Sequence, residues 1–128
     1  MVYLDSSVVL AYLGAEVVVP PASLWDEELI SSRLLAYETM SRLHAWGRGE
    51  SHGQLAKELF RRIAFLELIG PVVGRAGEPF PVALRTLDAL HLATITFLVE
   101  QGVPVRLASY DRRLSDAAKS LRIEPYPL

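Results

Sequence analysis

Short apolar runs alternate with helical patterns along this sequence, and acidic residues stand at several of the junctions. Apolar runs predict strands at Val2–Leu4, 28–30, 68–69, 105–108 and 123–125, and periodic patterns predict helices at 8–13, 33–46, 53–65, 84–101 and 112–121. A single helical turn is expected at 22–25, and 74–81 is expected to be a loop that could contain a helical turn. Strands that alternate with helices form parallel sheets with helices on both faces. The sequence therefore predicts an α/β fold with a central parallel sheet.

The composition limits the kinds of site that the chain can carry. Its 128 residues predict a single domain, 1–128, and 51% of them are hydrophobic, as in a globular protein. Cysteine is absent, which excludes disulfides and thiolate metal sites and leaves oxygen and nitrogen ligands. No apolar run approaches the roughly 20 residues of a membrane span, so we expect no membrane partner and a cytoplasmic location. The formal net charge of −2 argues mildly against a sequence-independent nucleic-acid binder.

The candidate functional residues are four carboxylates at element boundaries, namely Asp5, Glu38, Asp88 and Asp111. Ionised carboxylates that gather inside a small domain lose their hydration and repel one another, so a convergent group needs a cation. Hard cations such as Mg²⁺ prefer oxygen ligands and keep waters and substrate phosphates in their shell. Convergence of the four would therefore indicate a metal-dependent enzyme that acts on phosphate esters.

Asp5 and Asp111 each follow a predicted strand. In an open parallel sheet, ligands bind beyond the carboxyl ends of the strands, where the topology switches. If the strands at Val2–Leu4 and 105–108 are neighbours, both carboxylates lie over one crevice. Each residue could instead cap the helix that follows it, and capping can coexist with metal binding.

Asp88 lies on an apolar stripe of the strongest predicted helix. At about 100° per residue it shares one face with Leu92, Ile95 and Val99, which is the pattern of a buried helix face. The helix dipole favours an aspartate in the first turn, but a surface position would serve that purpose equally well. An inward carboxylate also needs a partner, which favours a functional role.

The remaining polar candidates have simple structural alternatives. Glu38 precedes Arg42 by four residues, so an exposed ion pair on a helix would explain it fully. Ser7 could orient a carboxylate or a metal-bound water, and it could equally be a helix cap. Arg112 and Arg113 occupy a first helical turn, where a positive charge is unfavourable unless carboxylates or phosphates lie nearby. Two solvated arginines are an equally good interpretation.

The histidines and glycines add little to the functional assignment. His91 follows Asp88 by one helical turn and could be a core residue hydrogen-bonded to its neighbours or an outer-shell group of the site, and a structural role is favoured. His44 and His52 are expected at the surface. No glycine-rich phosphate loop is present, which argues against a P-loop nucleotide site.

Four blocks of sequence carry the acidic residues. They are VYLDSS at 2–7, SSRLLAYE at 31–38, LDALHLA at 87–93 and SYDRRL at 109–114. These blocks resemble the acidic motifs of PIN domains, most closely those of the VapC type, the toxin half of bacterial and archaeal toxin–antitoxin pairs. The resemblance covers nearly the whole chain in the expected order, and the LDALHLA block is quite specific. The segment 16–26 matches least well.

The resemblance implies both a fold and an activity. It implies an α/β/α sandwich around a parallel sheet of about four to five strands, and an endoribonuclease that depends on Mg²⁺ or Mn²⁺. It also implies a homodimer inhibited by a VapB-like antitoxin that covers or invades the acidic pocket. The residues expected to hold the metal and to support catalysis are Asp5, Glu38, Asp88 and Asp111, with Ser7 in support. Weaker candidates for contact with the RNA backbone are Arg42, Arg112 and Arg113.

Two other functions stay open from the sequence. A catalytically silent module of the same fold would sequester RNA or a partner protein without turnover. A phosphoacceptor signalling domain also clusters aspartates at strand ends, but it would be expected to have a lysine near the site. The only lysines, Lys57 and Lys119, fall outside the four acidic blocks.

Overall fold

The computed structural model describes residues 1–14 and 17–128. Within those ranges one parallel sheet is formed by β1 Val2–Leu4, β2 Leu29–Ser32, β3 Ile63–Leu66, β4 Arg106–Ala108 and β5 Glu124–Pro125. The α-helices of the same ranges are α1 Ser6–Gly14, α2 Leu34–Ala45, α3 Gly49–Phe60, α4 Gly70–Ala76, α5 Thr86–Glu100 and α6 Arg112–Ser120. A 3₁₀ turn spans Ala22–Asp26, close to the helical turn predicted at 22–25. None of the helices described is both long and apolar enough to cross a membrane.

The strand order places β1 at the centre of the sheet. The order is β3-β2-β1-β4-β5, so β1 pairs with β2 on one side and with β4 on the other. Tyr3, for example, lies opposite Ile30 of β2 and Leu107 of β4. The chain order switches at β1 and β4, and such a switch opens a crevice beyond the carboxyl ends of the strands. The condition stated for Asp5 and Asp111 is therefore met, because the first strand and the strand near 105–108 are neighbours.

Helices cover both faces of the sheet because side chains alternate along each strand. Val2 and Leu4 of β1 point into a core formed with α1, α2 and α3. Tyr3, between them, points into a second core formed with α5 and α6. The predicted α/β/α sandwich around a parallel sheet of about four to five strands is therefore confirmed, and the described sheet has five.

Several predicted boundaries are wrong in the middle of the chain. The helix predicted at 53–65 is α3, which begins at Gly49 and ends at Phe60. The strand predicted at 68–69 is instead β3, whose residues Ile63–Leu66 pair with β2. The end of α4 overlaps the loop predicted at 74–81, for which a helical turn was an open alternative. Short apolar runs fit either a helix or a strand, and pairing with a neighbouring strand decides between them.

Two further predictions concern the inward face of α5 and the segment 16–26. Leu92 and Ile95 are fully buried on the inward face of α5, as predicted, but Val99 is 48% exposed, so the buried stripe ends before it. The first residue of the segment 16–26 lies outside the described residues.

Candidate active site

The four candidate carboxylates line one pocket of about 620 Å³ at the carboxyl ends of the central strands. Asp5 follows β1 directly, Glu38 lies on α2, Asp88 in the first turn of α5, and Asp111 immediately before α6. Asp5 and Asp88 are 5% and 8% exposed. Parallel strands deliver their carboxyl ends to the same edge of the sheet, which is why residues so distant in sequence share this pocket.

Hydroxyl groups hold Asp5 in place. Its Oδ2 accepts hydrogen bonds from Ser7 Oγ at 2.5 Å and from Ser109 Oγ at 2.9 Å. Ser7 Oγ also accepts from the backbone N–H of Tyr110, so the turn after β1 is tied to the turn after β4. Burial raises the pKa of Asp5 above its ordinary value and the charge of Glu38 adds to this, although His91 and the two hydroxyls act in the opposite direction. Ser7 thus contacts the carboxylate that it was suggested to orient.

Glu38 points into the pocket but does not pair with Arg42 in the described part of the chain. Its Oε1 lies 2.5 Å from His91 Nε2, and its Oε2 accepts from Ser6 Oγ at 3.3 Å. The exposed ion pair that would have explained Glu38 as a surface residue is therefore not formed. Burial lowers the pKa of His91, but the hydrogen bond and charge of Glu38, with the charge of Asp5 and of Asp88, raise it above its ordinary value overall.

Arg85 bridges the other two carboxylates. Its Nε lies 3.3 Å from Asp88 Oδ2, and one terminal nitrogen lies 3.4 Å from Asp111 Oδ2. The Arg85 side chain is 64% exposed at the rim of the pocket. Asp111 meanwhile caps α6, because its Oδ1 accepts from the backbone N–H groups of Arg113 and Leu114. Capping and a place in the pocket coexist at Asp111.

Arg85 was missed in the sequence, and His91 was not among the candidate site residues. Arg85 was not named, although it precedes Asp88 by three residues and so lies on the same side of the helix start. For His91 a structural role was favoured over an outer-shell one; its position three residues after Asp88 places it one turn further along an inward face, where it is hydrogen-bonded to Tyr3 and Glu38.

Of the three arginines suggested for RNA contact, one lies at the acidic pocket. Arg42 lines the acidic pocket and is exposed. Arg112 and Arg113 are exposed on α6, and neither is among the described residues that line the pocket. Their contact with RNA stays a prediction.

The donor atoms of the pocket suit a hard divalent cation, because its carboxylates and serines offer only oxygen. As the side chains stand, however, no three His, Asp or Glu residues in 1–14 and 17–128 form a group that could hold a metal ion. Arg85 contacts two of the carboxylates, while serines and His91 contact the other two. The residue types and the shared pocket thus fit a cation, but the side chains are not preassembled around one.

Comparison with known proteins agrees with this architecture. Residues 2–120, nearly the whole chain, match the PIN domain family. The chain belongs to the PIN domain family. The chain is 35% identical to Ribonuclease VapC46 of Mycobacterium tuberculosis, over 94% of this chain and 92% of that protein. It is 27% identical to Ribonuclease VapC47 of the same species, with the same coverage of both proteins. This PIN domain protein is therefore of the VapC type, and the predicted resemblance is confirmed.

A solved structure shares the fold. The crystal structure of Mycobacterium tuberculosis VapC20, described as a toxin that cleaves the sarcin-ricin loop, superimposes with a TM-score of 0.67. The match covers 91% of this chain and 95% of VapC20 at 16% sequence identity. At that identity the likeness concerns the PIN fold alone.

Proposed function

We propose that this PIN domain protein is a divalent-metal-dependent endoribonuclease, the toxin component of a VapBC-type toxin–antitoxin pair, which hydrolyses phosphodiester bonds in RNA. The pocket lined by four carboxylates supports this proposal most directly, in a chain 35% identical to a VapC ribonuclease. We take residues 1–128 as one nuclease domain that acts in the cytoplasm, where its RNA substrate lies.

The four carboxylates would serve two roles, to bind the metal ion and to orient the attacking water. Asp5, Asp88 and Asp111 would hold Mg²⁺ or Mn²⁺, with Glu38 as a further ligand or as the group that orients the attacking water. A bound ion of this kind lowers the pKa of a water molecule and stabilises charge on the phosphoryl oxygens. Ser7 supports the site by holding Asp5 at 2.5 Å.

Exposed cations at the pocket are suited to bind the RNA backbone. Arg42 and Arg85 line the same pocket as the carboxylates. A guanidinium group presents a planar fork of donors that matches phosphate oxygens, and such contacts weaken with salt. Arg112 and Arg113, on the outer side of α6, are the weaker candidates.

The first experiment measures RNA cleavage with and without metal. Incubation of the purified protein with bacterial total RNA and Mg²⁺ or Mn²⁺ is expected to yield defined fragments, mapped by primer extension. EDTA should abolish the fragments because carboxylates without the ion cannot activate water, and excess Mn²⁺ should restore them. A parallel preparation of the Asp5→Asn variant controls for contaminating nucleases.

The outcome also separates a metal-dependent nuclease from a catalytically silent binding module. Fragments that form equally fast in EDTA would refute metal dependence. Tight binding of RNA without any fragments, in either ion, would instead favour the catalytically silent binding module.

Arg85 provides a second test, because its guanidinium contacts two of the proposed metal ligands. We expect Arg85→Gln to bind Mn²⁺ more tightly, by about 2- to 10-fold, since each exposed ion pair that the cation must displace is worth at most about 1 kcal/mol. Titration calorimetry without RNA measures this directly. Arg112→Gln, which removes an exposed arginine beside Asp111, is the matched control and should keep the affinity of the parent. Unchanged affinity in Arg85→Gln would show that Arg85 does not compete with the ion.

An apolar groove of about 1010 Å³ supports the proposed antitoxin partner. The groove is lined largely by apolar residues of α1 and its surroundings, including Val17 and Trp46, which are 91% and 48% exposed. It shares Ser7 and Leu10 with the acidic pocket. An apolar segment of a VapB-like antitoxin that lies in this groove would therefore reach the acidic pocket.

We also expect the homodimer that the VapC resemblance implies.

A further inference from the structure

A buried chain of hydrogen bonds connects the sheet to one carboxylate of the acidic pocket. The backbone N–H of Ser32, at the end of β2, lies 3.1 Å from the Tyr3 hydroxyl. That hydroxyl lies 2.7 Å from His91 Nδ1, and His91 Nε2 lies 2.5 Å from Glu38 Oε1. Tyr3 is fully buried and His91 is 1% exposed. Of the residues in this series of hydrogen bonds, Glu38 is the one that reaches the pocket.

The direction of the final hydrogen bond follows from the chemistry of its two groups. A carboxylate oxygen can only accept a hydrogen bond, so in this contact His91 Nε2 carries the proton and is the donor. This holds whether His91 Nδ1 accepts from Tyr3 or carries a second proton. His91 therefore presents a fixed N–H donor to Glu38 Oε1.

Glu38 has few other restraints on its position. Its side chain has several rotatable bonds, and ordering such a side chain costs about 1–2 kcal/mol. Apart from His91, the hydrogen bond described for its carboxylate is the longer one from Ser6 Oγ at 3.3 Å. The His91 ring is itself held, because it packs edge-on against the Tyr3 ring with an interplanar angle of 83°. A rigid ring thus holds a flexible carboxylate.

We infer that His91 is a positioning residue, which holds Glu38 in its working orientation, and that Tyr3 holds the His91 ring for this task. The inference rests on the proposed nuclease function, because His91 acts through Glu38. Neighbours that orient a metal ligand typically change metal affinity or activity by about 10- to 100-fold when they are removed. His91 is expected to fall in that range.

Kinetics of two His91 variants separate positioning from packing. His91→Gln can keep an N–H donor near the position of Nε2, whereas His91→Leu fills the space without a donor. We expect His91→Leu to lower kcat by about 10- to 100-fold with KM for RNA near that of the parent, and His91→Gln to regain most of the loss. Parent-like kcat in His91→Leu would overturn the inference, as would equal losses in the two variants.

Tyr3→Phe covers the case in which His91→Leu does not fold. This variant keeps the ring contact and removes only the hydroxyl between Ser32 and His91. We expect a smaller loss of kcat, by about 2- to 10-fold, because the His91 ring loses one neutral hydrogen bond and keeps its packing contact. A parent-like kcat in a folded Tyr3→Phe would refute the role of Tyr3.

A measurement on metal-free protein tests the contact independently of cleavage. In ¹⁵N NMR of protein labelled at histidine, we expect a proton on His91 Nε2 that exchanges slowly with solvent. Glu38→Gln should shift this resonance, and Glu50→Gln, an exposed glutamate of α3, should leave it unchanged. A proton on Nδ1 alone would overturn the inference even if the protein cleaves RNA. The expected signature in a protein that cleaves no RNA would instead refute the nuclease function, and the positioning role of His91 in catalysis with it.

Discussion

Asp88→Asn is expected to lower the rate of metal-dependent RNA cleavage by at least about 100-fold, because the substitution removes a charge proposed to hold the ion at the reacting phosphate. The fold should persist, since asparagine has nearly the same shape and the Asp88 side chain makes its described hydrogen bond with Arg85 alone. The loss of a first-turn carboxylate costs only about 0.3–1 kcal/mol of helix–dipole stabilisation.

Initial rates of cleavage with saturating Mg²⁺ measure the activity, and circular dichroism with thermal melting checks the fold. Asp116→Asn is the matched control, because Asp116 is an exposed aspartate of α6 outside the residues that line the acidic pocket. Its cleavage rate should equal that of the parent. A folded Asp88→Asn variant with the rate of the parent would mean that Asp88 is not a metal ligand.

The Asp5→Asn variant is expected to be more stable than the parent without a divalent ion and less stable than the parent with one. Without divalent ions, the variant should be more stable than the parent by about 0.5–2 kcal/mol, the range that a single stabilising substitution commonly gives. Asp5 is buried beside Glu38, and an asparagine oxygen could still accept from Ser7 and Ser109. With Mn²⁺ at about 100 times the Kd, the parent should gain about 2.7 kcal/mol, and the variant should gain little.

The pH dependence of the same variant has a defined sign. Burial raises the pKa of Asp5, so the folded protein favours the protonated form. The stability contributed by Asp5 is therefore complete below its unfolded pKa of about 3.9 and is lost as the pH rises through the raised pKa. The asparagine of the variant does not titrate and undergoes no such loss. The Tm advantage of Asp5→Asn in metal-free buffer should thus grow from about pH 4 towards neutrality.

Thermal melting in EDTA and in Mn²⁺, at matched pH values, tests both expectations. A variant that is less stable than the parent in EDTA at neutral pH would show that the Asp5 charge does not strain the metal-free fold. An equal rise of Tm with Mn²⁺ in parent and variant would show that the ion binds elsewhere.

Much of the fold could be predicted from local patterns. β1 has the predicted bounds, and β4, α5 and α6 lie within two residues of theirs, because each combines a clear apolar pattern with a capping residue or a terminal glycine. The middle of the chain was less predictable. The run Ile63–Leu66 continues the helical periodicity of α3, and only its pairing with β2 makes it a strand.

The residues of the candidate site could be predicted from the sequence better than the contacts between them. The acidic blocks pointed to the four carboxylates that line one pocket, although their metal ligation stays a prediction. Spacing alone favoured an ion pair between Glu38 and Arg42, whereas the structure shows Glu38 with His91, 53 residues away. Arg85 was not anticipated in any role.

What the sequence dictates here is the alternation of strands and helices, and with it the edge of the sheet at which Asp5 and Asp111 emerge. Those features depend on periodicity and on the right-handed, parallel connection of neighbouring elements, which are local properties of the chain. The tertiary structure alone determines which distant side chains meet there: His91 with Glu38, and Arg85 with Asp111. Such contacts depend on how separate helices pack across the sheet, and no local pattern encodes the distance between their side chains.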